Sequence, residues 1–136
     1  DMMLERFERG VELDGAAPVA GPADIARAQY TVDAVSVDSK VRDYLLAIVG
    51  ETRSDSRVRL GASPRAALAL QRACQAYAVI DGRGYVMPDD VKALAGPVLA
   101  HRMNVESAAR LRGVTAAAVI ADILESVDVP IEGTAG

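Results

Sequence analysis

The sequence predicts an all-α protein, a small helical bundle of five or six helices with at most one tiny strand pair. Hydrophobic residues make up 51% of the 136 residues, yet the chain has only one Phe, four Tyr and no Trp. Small apolar side chains let helices pack closely, whereas β-strands favour aromatic and β-branched residues. Apolar residues also recur at intervals of three and four along much of the chain, which is the spacing of one helix face.

The N-terminal part of the chain contains two helical patterns separated by a loop. Residues 1–9 are expected to form a short helix that stops at Gly10. Residues 11–23 are rich in Gly, Ala and Pro, and this composition predicts a loop. A second helix is expected to start near Pro22. Its apolar residues keep helical spacing: Ile25, Ala28, Val32 and Val35.

The two strongest helical patterns lie in the middle of the chain. The first begins at Asp38 or Ser39, which are good helix caps, and closes near Gly50. Its apolar residues fall at i, i+3, i+4, i+7 and i+8: Val41, Tyr44, Leu45, Ile48 and Val49. The second helix begins at Ser63–Pro64, because Ser caps a helix and Pro suits its first position, and it ends at Asp81–Gly82. Its expected apolar face comprises Ala67, Leu70, Cys74, Tyr77 and Ala78.

One short extended segment and another helix follow. The segment is Tyr85–Met87, and Pro88 then opens a helix with Asp89 and Asp90 in its first turn, where acidic charge complements the helix dipole. Pro97 is expected to kink this helix or to end it early. Its buried stripe is expected to contain Val91, Leu94, Ala95, Val98 and Leu99.

The last helix is expected to span residues 114–126. Four of its apolar residues are expected to face inward: Ala117, Ile120, Ile123 and Leu124. Residues 1–129 are then predicted to form one helical domain, and residues 130–136 a disordered tail. The chain begins with Asp rather than Met, from which we expect a piece cut out of a longer protein.

Several classes of protein are disfavoured by what the sequence lacks. The net charge is −4, whereas a nucleic-acid-binding module usually carries a basic face. There is no GxxxxGK[ST] run to wrap phosphates, so the chain cannot bind ATP as a complete P-loop domain does. Neither GxSxG nor HExxH is present, and no paired metal-ligand spacing is found. No signal peptide and no stretch of roughly 20 apolar residues is present, so we expect a cytoplasmic protein without membrane insertion.

The single Cys and the single His are expected to be structural. Cys74 stands alone, which excludes an internal disulfide and a cysteine-based zinc cluster, and its apolar stripe predicts a buried, inert thiol. His101 is expected to pack or to cap a helix C-terminus, where a cation is favoured. Asp89 and Asp90 are adjacent, hence about 100° apart around a helix, which suits them poorly to a catalytic dyad.

Arg65 occupies the most informative position. It is expected at the second residue of the Ser63–Pro64 helix, where the positive end of the dipole makes a cation cost about 0.3–1 kcal/mol. A sequence that accepts this cost can use the guanidinium and the free backbone N–H groups as a site for an anion such as phosphate. From the residues alone, an alternative stands: Arg65 is a solvated surface arginine or pairs with a nearby acid.

Two segments around this helix resemble a known family. LGASPRA at residues 60–66 is followed by GRGYVMPDDVKALAGPVLAHRM at residues 82–103. Together they resemble, in order and separation, the C-terminal lid of MoxR-family AAA+ ATPases, closely over residues 61–103 and more loosely on either side. The one departure is Met87, where the family pattern usually has Thr. Losing that helix cap weakens the helix start by about 1 kcal/mol.

The resemblance implies a role for Arg65. It would be the sensor 2 arginine, which reaches from the lid to the γ-phosphate of ATP held by the P-loop domain, and Ser63 and Pro64 would set the start of its helix. ATP and Mg²⁺ would then be cofactors of the full-length parent, an ATPase, with none bound tightly by this fragment. Arg6 lies in LERF, which is similar to an LDRF segment of such ATPases, but we interpret it as an ordinary helix arginine.

The resemblance also implies partners. These would be the P-loop domain of the same chain, neighbouring subunits of a ring expected to be a hexamer, and von Willebrand factor A-domain proteins, in chaperone-like maturation of client proteins. Two other classes stay open: a stand-alone helical protein–protein interaction module, which the amphipathic segments allow, and a DNA-binding helical domain, which the acidic balance disfavours.

Overall fold

Six α-helices dominate the part of the chain that the computed structural model describes, residues 17–130, and this confirms the predicted fold class. In chain order the elements are α1 (Pro22–Asp33), α2 (Ser39–Ser54), β1 (Val58–Leu60), α3 (Pro64–Ile80), α4 (Pro88–Leu99), a 3₁₀ turn (Ala100–Arg102), β2 (Asn104–Val105), α5 (Ser107–Leu111) and α6 (Ala116–Ser126). The helix predicted over residues 1–9 and all but the first residue of the predicted tail lie outside the described residues.

The helix α3 is central, because it packs against α1, α2 and α4. The helix α6 closes the bundle by contacting α2 and α4. The apolar faces of α2, α3, α4 and α6 meet in one core, as the helical spacing predicts, whereas α1 contributes no buried residue. The largest side chains with no more than 2% of their surface exposed are Leu45, Ile48, Leu70, Leu99 and Ile120.

Two helices extend further than the sequence predicts. Gly50 does not close α2, which continues to Ser54. Glycine inside a helix costs only about 0.5–1 kcal/mol, and the extra turn buries Thr52 completely. The helix α4 likewise continues two residues past Pro97. Proline there cannot donate the helical hydrogen bond to the carbonyl of Ala93, which is an exposed residue.

The strand pair lies elsewhere than expected. The strand β1 pairs antiparallel with β2, whereas Tyr85 in the predicted extended segment makes only an isolated bridge to Ser36. Strands of three and two residues are too short to show the alternation that predicts a strand. The five-residue helix α5 was not predicted either, because it is shorter than two turns and cannot show a repeated face.

Two side chains expected to face inward are exposed instead. Tyr77 keeps 43% of its surface exposed, because the buried stripe of α3 runs through Leu70, Cys74 and Ala78 and leaves Tyr77 at its edge. Ala117 is also exposed. The helix α6 turns a different set toward the core, at helical spacing from its first residue: Ala116, Val119, Ile120, Ile123 and Leu124.

A buried ion pair ties the end of α3 to the start of α4. The Arg83 guanidinium donates to both carboxylate oxygens of Asp90, at 2.9 and 2.8 Å, and also to the carbonyl of Tyr85 at 3.0 Å. The Asp90 carboxylate also accepts the backbone N–H of Met87 at 2.8 Å. Met87 has no side-chain cap, as its sequence predicts, so Asp90 supplies the polar contact at this helix start.

Asp90→Asn is expected to lower the free energy of unfolding by about 2–4 kcal/mol, because it removes the buried one of the two carboxylates, Asp81 and Asp90, that pair with the largely buried Arg83 guanidinium. Asp89→Asn is the matched control, since Asp89 is the preceding residue and is 79% exposed. It is expected to change stability by less than about 1 kcal/mol. Urea unfolding of both variants measures the difference. An unchanged midpoint for Asp90→Asn would show that the ion pair does not stabilise this turn.

Candidate functional site

The segment that precedes α3, Gly61 to Ser63, lies against the last turn of α2. The Thr52 hydroxyl accepts the backbone N–H of Ala62 at 2.9 Å, and the Nε of Arg53 donates to the Ala62 carbonyl at 2.8 Å. Two consecutive residues of α2 therefore hold the N–H and the carbonyl of one residue. We call this arrangement, made by Thr52, Arg53 and Ala62, the Ala62 clamp.

Gly61 is required by the close approach of this segment to α2. A Cβ placed on Gly61 would lie 2.5 Å from the carbonyl oxygen of Thr52 and 2.7 Å from the Cγ of Arg53. Real Cβ atoms do not approach backbone atoms so closely, so any other residue would push the segment away from the helix. Ala62 itself is completely buried, which leaves no room for a larger side chain.

The helix that follows begins as the sequence predicts. Ser63 is the N-cap, with extended backbone, and its Oγ accepts the N–H of Ala66 at 3.3 Å. Pro64 is the first residue of α3. Proline has no N–H to leave unbonded there, and its fixed φ suits the helix start. The first turn of α3 therefore has a fixed orientation relative to the Ala62 clamp.

Arg65 is exposed at the second position of α3. Within residues 17–130, its side chain makes no ion pair and no hydrogen bond, and the first turn of α3 contains no acidic residue. Pairing with a nearby acid is therefore not observed there. Pro64 lacks an N–H and that of Ala66 is bonded to Ser63, so an anion at this helix start would be met by the Arg65 guanidinium and the backbone N–H of Arg65.

An apolar groove runs beside this helix start, between α2 and α3. Pro64 lines it next to Arg65 in the chain, and two large apolar side chains in its walls, Leu46 and Leu68, keep 51% and 68% of their surface exposed. The sequence pattern does not predict this groove, because Leu46 and Leu68 fall off the core-facing stripes and resemble scattered surface residues.

The other candidates are structural. Cys74 is completely buried, as predicted, and burial is the main reason that its pKa rises to about 12, which leaves the thiol protonated and inert at neutral pH. His101 contacts the carbonyl of Pro97 through Nδ1 at 3.1 Å, one turn back, which fits the predicted capping role. Asp89 and Asp90 have different surroundings, one exposed and one paired with Arg83, and do not act as a dyad.

Residues 17–130 contain neither a metal site nor a membrane-spanning helix. No group of His, Cys, Asp and Glu side chains in that range could hold a metal ion. Likewise, none of the helices described there combines the length and the apolar character needed to cross a bilayer. Arg6 lies outside the described residues, so its role stays a prediction.

Comparison with known proteins identifies relatives of this chain. Residues 50–123, which include the Ala62 clamp and Arg65, match the AAA lid domain family. The chain is 37% identical over 133 residues to the uncharacterised protein YeaC of Bacillus subtilis and 29% identical over 133 residues to the chaperone MoxR1 of Mycobacterium tuberculosis. It spans only 42% and 35% of the lengths of these two relatives.

A solved structure has the same fold. A protein from Cytophaga hutchinsonii that is described as an ATPase superposes with a TM-score of 0.80, over 95% of this chain and 43% of its own. The two sequences are 24% identical, so this likeness concerns the fold alone.

Gly61→Ala is expected to destabilise the domain by about 1–3 kcal/mol, because the added Cβ overpacks the contact with Thr52. Gly50→Ala is the matched control, since a Cβ at Gly50 meets nothing within 4 Å. Gly50 lies inside α2, so this control is expected to stabilise the domain by about 0.5–1 kcal/mol. Thermal unfolding measures both variants. Equal stability of the two variants would show that the segment before α3 does not need its close approach to α2.

Proposed function

The chain belongs to the AAA lid domain family, in the form found in MoxR-family AAA+ ATPases, and from this premise we propose that it is the nucleotide-sensing lid of such an ATPase. The observation that carries the proposal is the placement of Arg65. A cation at a helix N-terminus is unfavourable for the isolated helix, and here it has no counter-charge among the described residues. An anion supplied from outside the domain would compensate it.

We propose that the anion is the γ-phosphate of ATP, held with Mg²⁺ by a P-loop domain of the same protein. A guanidinium close to the β- and γ-phosphates stabilises the charge that develops during phosphoryl transfer. The same contact is lost when the γ-phosphate leaves, which allows the lid to rotate about a hinge. Arg65 would in this way be both sensor and stabiliser, as sensor 2, with Ser63 and Pro64 fixing its helix.

We also propose how the full-length ATPase assembles and what it acts on. The lid would contact neighbouring subunits of a ring, which we propose to be a hexamer in the cytoplasm, and carry the nucleotide state from one subunit to the next. Chaperone-like maturation of client proteins, with von Willebrand factor A-domain partners, is the proposed output. The chaperone-like part of this proposal is supported by the relative named as a chaperone in Mycobacterium tuberculosis.

The second candidate function is a stand-alone helical module that binds a partner protein. The exposed apolar walls of the groove between α2 and α3 favour it, because such a groove accepts an apolar segment of another protein. Nucleotide titration and size-exclusion chromatography of the full-length protein separate the two. ATP-dependent ring assembly supports the lid, and assembly that is indifferent to nucleotide supports the binding module.

Arg65→Ala in the full-length protein is expected to lower kcat for ATP hydrolysis by about 10- to 100-fold, because one preorganised donor to the transition state is lost. The variant is expected to be as stable as the wild type or slightly more stable, since a cation leaves the helix N-terminus. Steady-state hydrolysis and thermal unfolding together measure this.

Arg72→Ala is the matched control for Arg65→Ala. Arg72 lies on the same helix, and its ion pair with Asp33 is exposed, so its loss is expected to leave turnover unchanged. Unchanged turnover of Arg65→Ala would remove this arginine from the mechanism. The isolated 136-residue chain is expected to show no ATP hydrolysis. Robust hydrolysis by the isolated chain would contradict the proposal that a separate P-loop domain holds the ATP.

A further inference from the structure

We infer that Thr52 is a positioning residue for Arg65: its buried hydroxyl fixes the segment before α3 and thereby sets the direction in which that helix presents the arginine. This inference rests on the proposed function of Arg65. Nothing in the sequence pattern marks Thr52, which lies one helix earlier in the chain than the residue it would position.

The Thr52 hydroxyl is completely buried and makes two hydrogen bonds. It accepts from the N–H of Ala62 at 2.9 Å and donates to the carbonyl of Val49 at 2.7 Å. Thr is a poorer helix former than Ala, and Val would fill the same space without a polar atom. Helix formation and core packing therefore do not explain the hydroxyl, whereas the bond to Ala62 uses it.

The backbone that connects the Thr52 contact at Ala62 to Arg65 is held at each step. Ala62 is fixed through its N–H by Thr52 and through its carbonyl by Arg53. Ser63 is held by its capping bond to Ala66, and the ring of Pro64 fixes its φ. The side chain of Ala66 is completely buried, which anchors the other side of the first turn.

The segment is also in van der Waals contact with α2 at Gly61, where even a Cβ would not fit. The hydrogen bonds of the Ala62 clamp therefore hold the segment at the closest separation that the two backbones allow. Loss of the Thr52 hydroxyl leaves the buried N–H of Ala62 without an acceptor, so the segment gains by moving away from α2 toward water. Such a shift would carry the start of α3, and Arg65 with it.

The test uses the full-length ATPase that carries this lid and measures kcat and KM for ATP below the unfolding transition of each variant. Thr52→Val keeps the shape of the side chain and removes the hydroxyl. It is expected to lower kcat by about tenfold, because a misplacement of about 1 Å can cost about 100-fold and a smaller shift is expected here. Thr52→Ser keeps the hydroxyl and is expected to keep kcat near the wild-type value.

A double-mutant cycle separates positioning from plain stabilisation. In the Arg65→Ala background, Thr52→Val is expected to cause no further loss of kcat, because the group that it positions is gone. A threonine with a merely structural role would lower the thermal midpoint and leave the kcat of the folded enzyme unchanged, which would overturn the inference. A tenfold loss that persists in the Arg65→Ala background would also overturn it.

Arg53→Met provides the second route if Thr52→Val does not fold. It removes the other half of the Ala62 clamp from an exposed position. A loss of kcat that disappears in the Arg65→Ala background supports the inference, and an unchanged kcat overturns it. Arg65→Ala distinguishes failure of the positioning inference from failure of the sensor proposal. If Arg65→Ala loses turnover while the clamp variants do not, the positioning inference fails and the sensor proposal stands. If Arg65→Ala keeps full turnover, the sensor proposal fails.

Discussion

The Ala62 clamp is the constraint on which the presentation of Arg65 depends. Two consecutive residues of α2 bond the N–H and the carbonyl of Ala62, and Gly61 allows the two backbones to touch. A helix start is normally a place where backbone groups lack partners and the chain frays. Here the residues before the helix are fixed by another helix, so the backbone from which Arg65 projects has a defined position, although its side chain makes no hydrogen bond or ion pair within residues 17–130.

The second segment of the family resemblance, residues 82–103, also contains a structural constraint. Arg83 and Asp90 form a buried pair, and Asp90 also bonds the backbone N–H of Met87. These contacts join the end of α3 to the start of α4. Among the helices of residues 17–130, α3 and α4 pack against each other most extensively. Each of the two segments thus fixes one end of α3, the first through the Ala62 clamp and the second through this ion pair.

The sequence predicts the helices and the start of α3 because those features depend on local chemistry. A serine followed by a proline predicts a capped start, and apolar residues at helical spacing predict the buried face of α2. The extension of α2 past Gly50 and the exposure of Tyr77 depend on contacts between helices, which periodicity cannot show. The clamp was also missed, because Thr52 and Ala62 are ten positions apart and neither belongs to a chemical motif.

The central claim is that the exposed guanidinium meets the γ-phosphate of ATP held by another domain. It is tested most directly by a structure of the full-length protein bound to a non-hydrolysable ATP analogue and Mg²⁺. The quantity to measure is the distance from the guanidinium nitrogens of Arg65 to the nearest γ-phosphate oxygen. The account predicts a charge-assisted hydrogen bond of about 2.7–2.9 Å in the closed state. A guanidinium that points away from the nucleotide while the lid is closed over it would contradict the account.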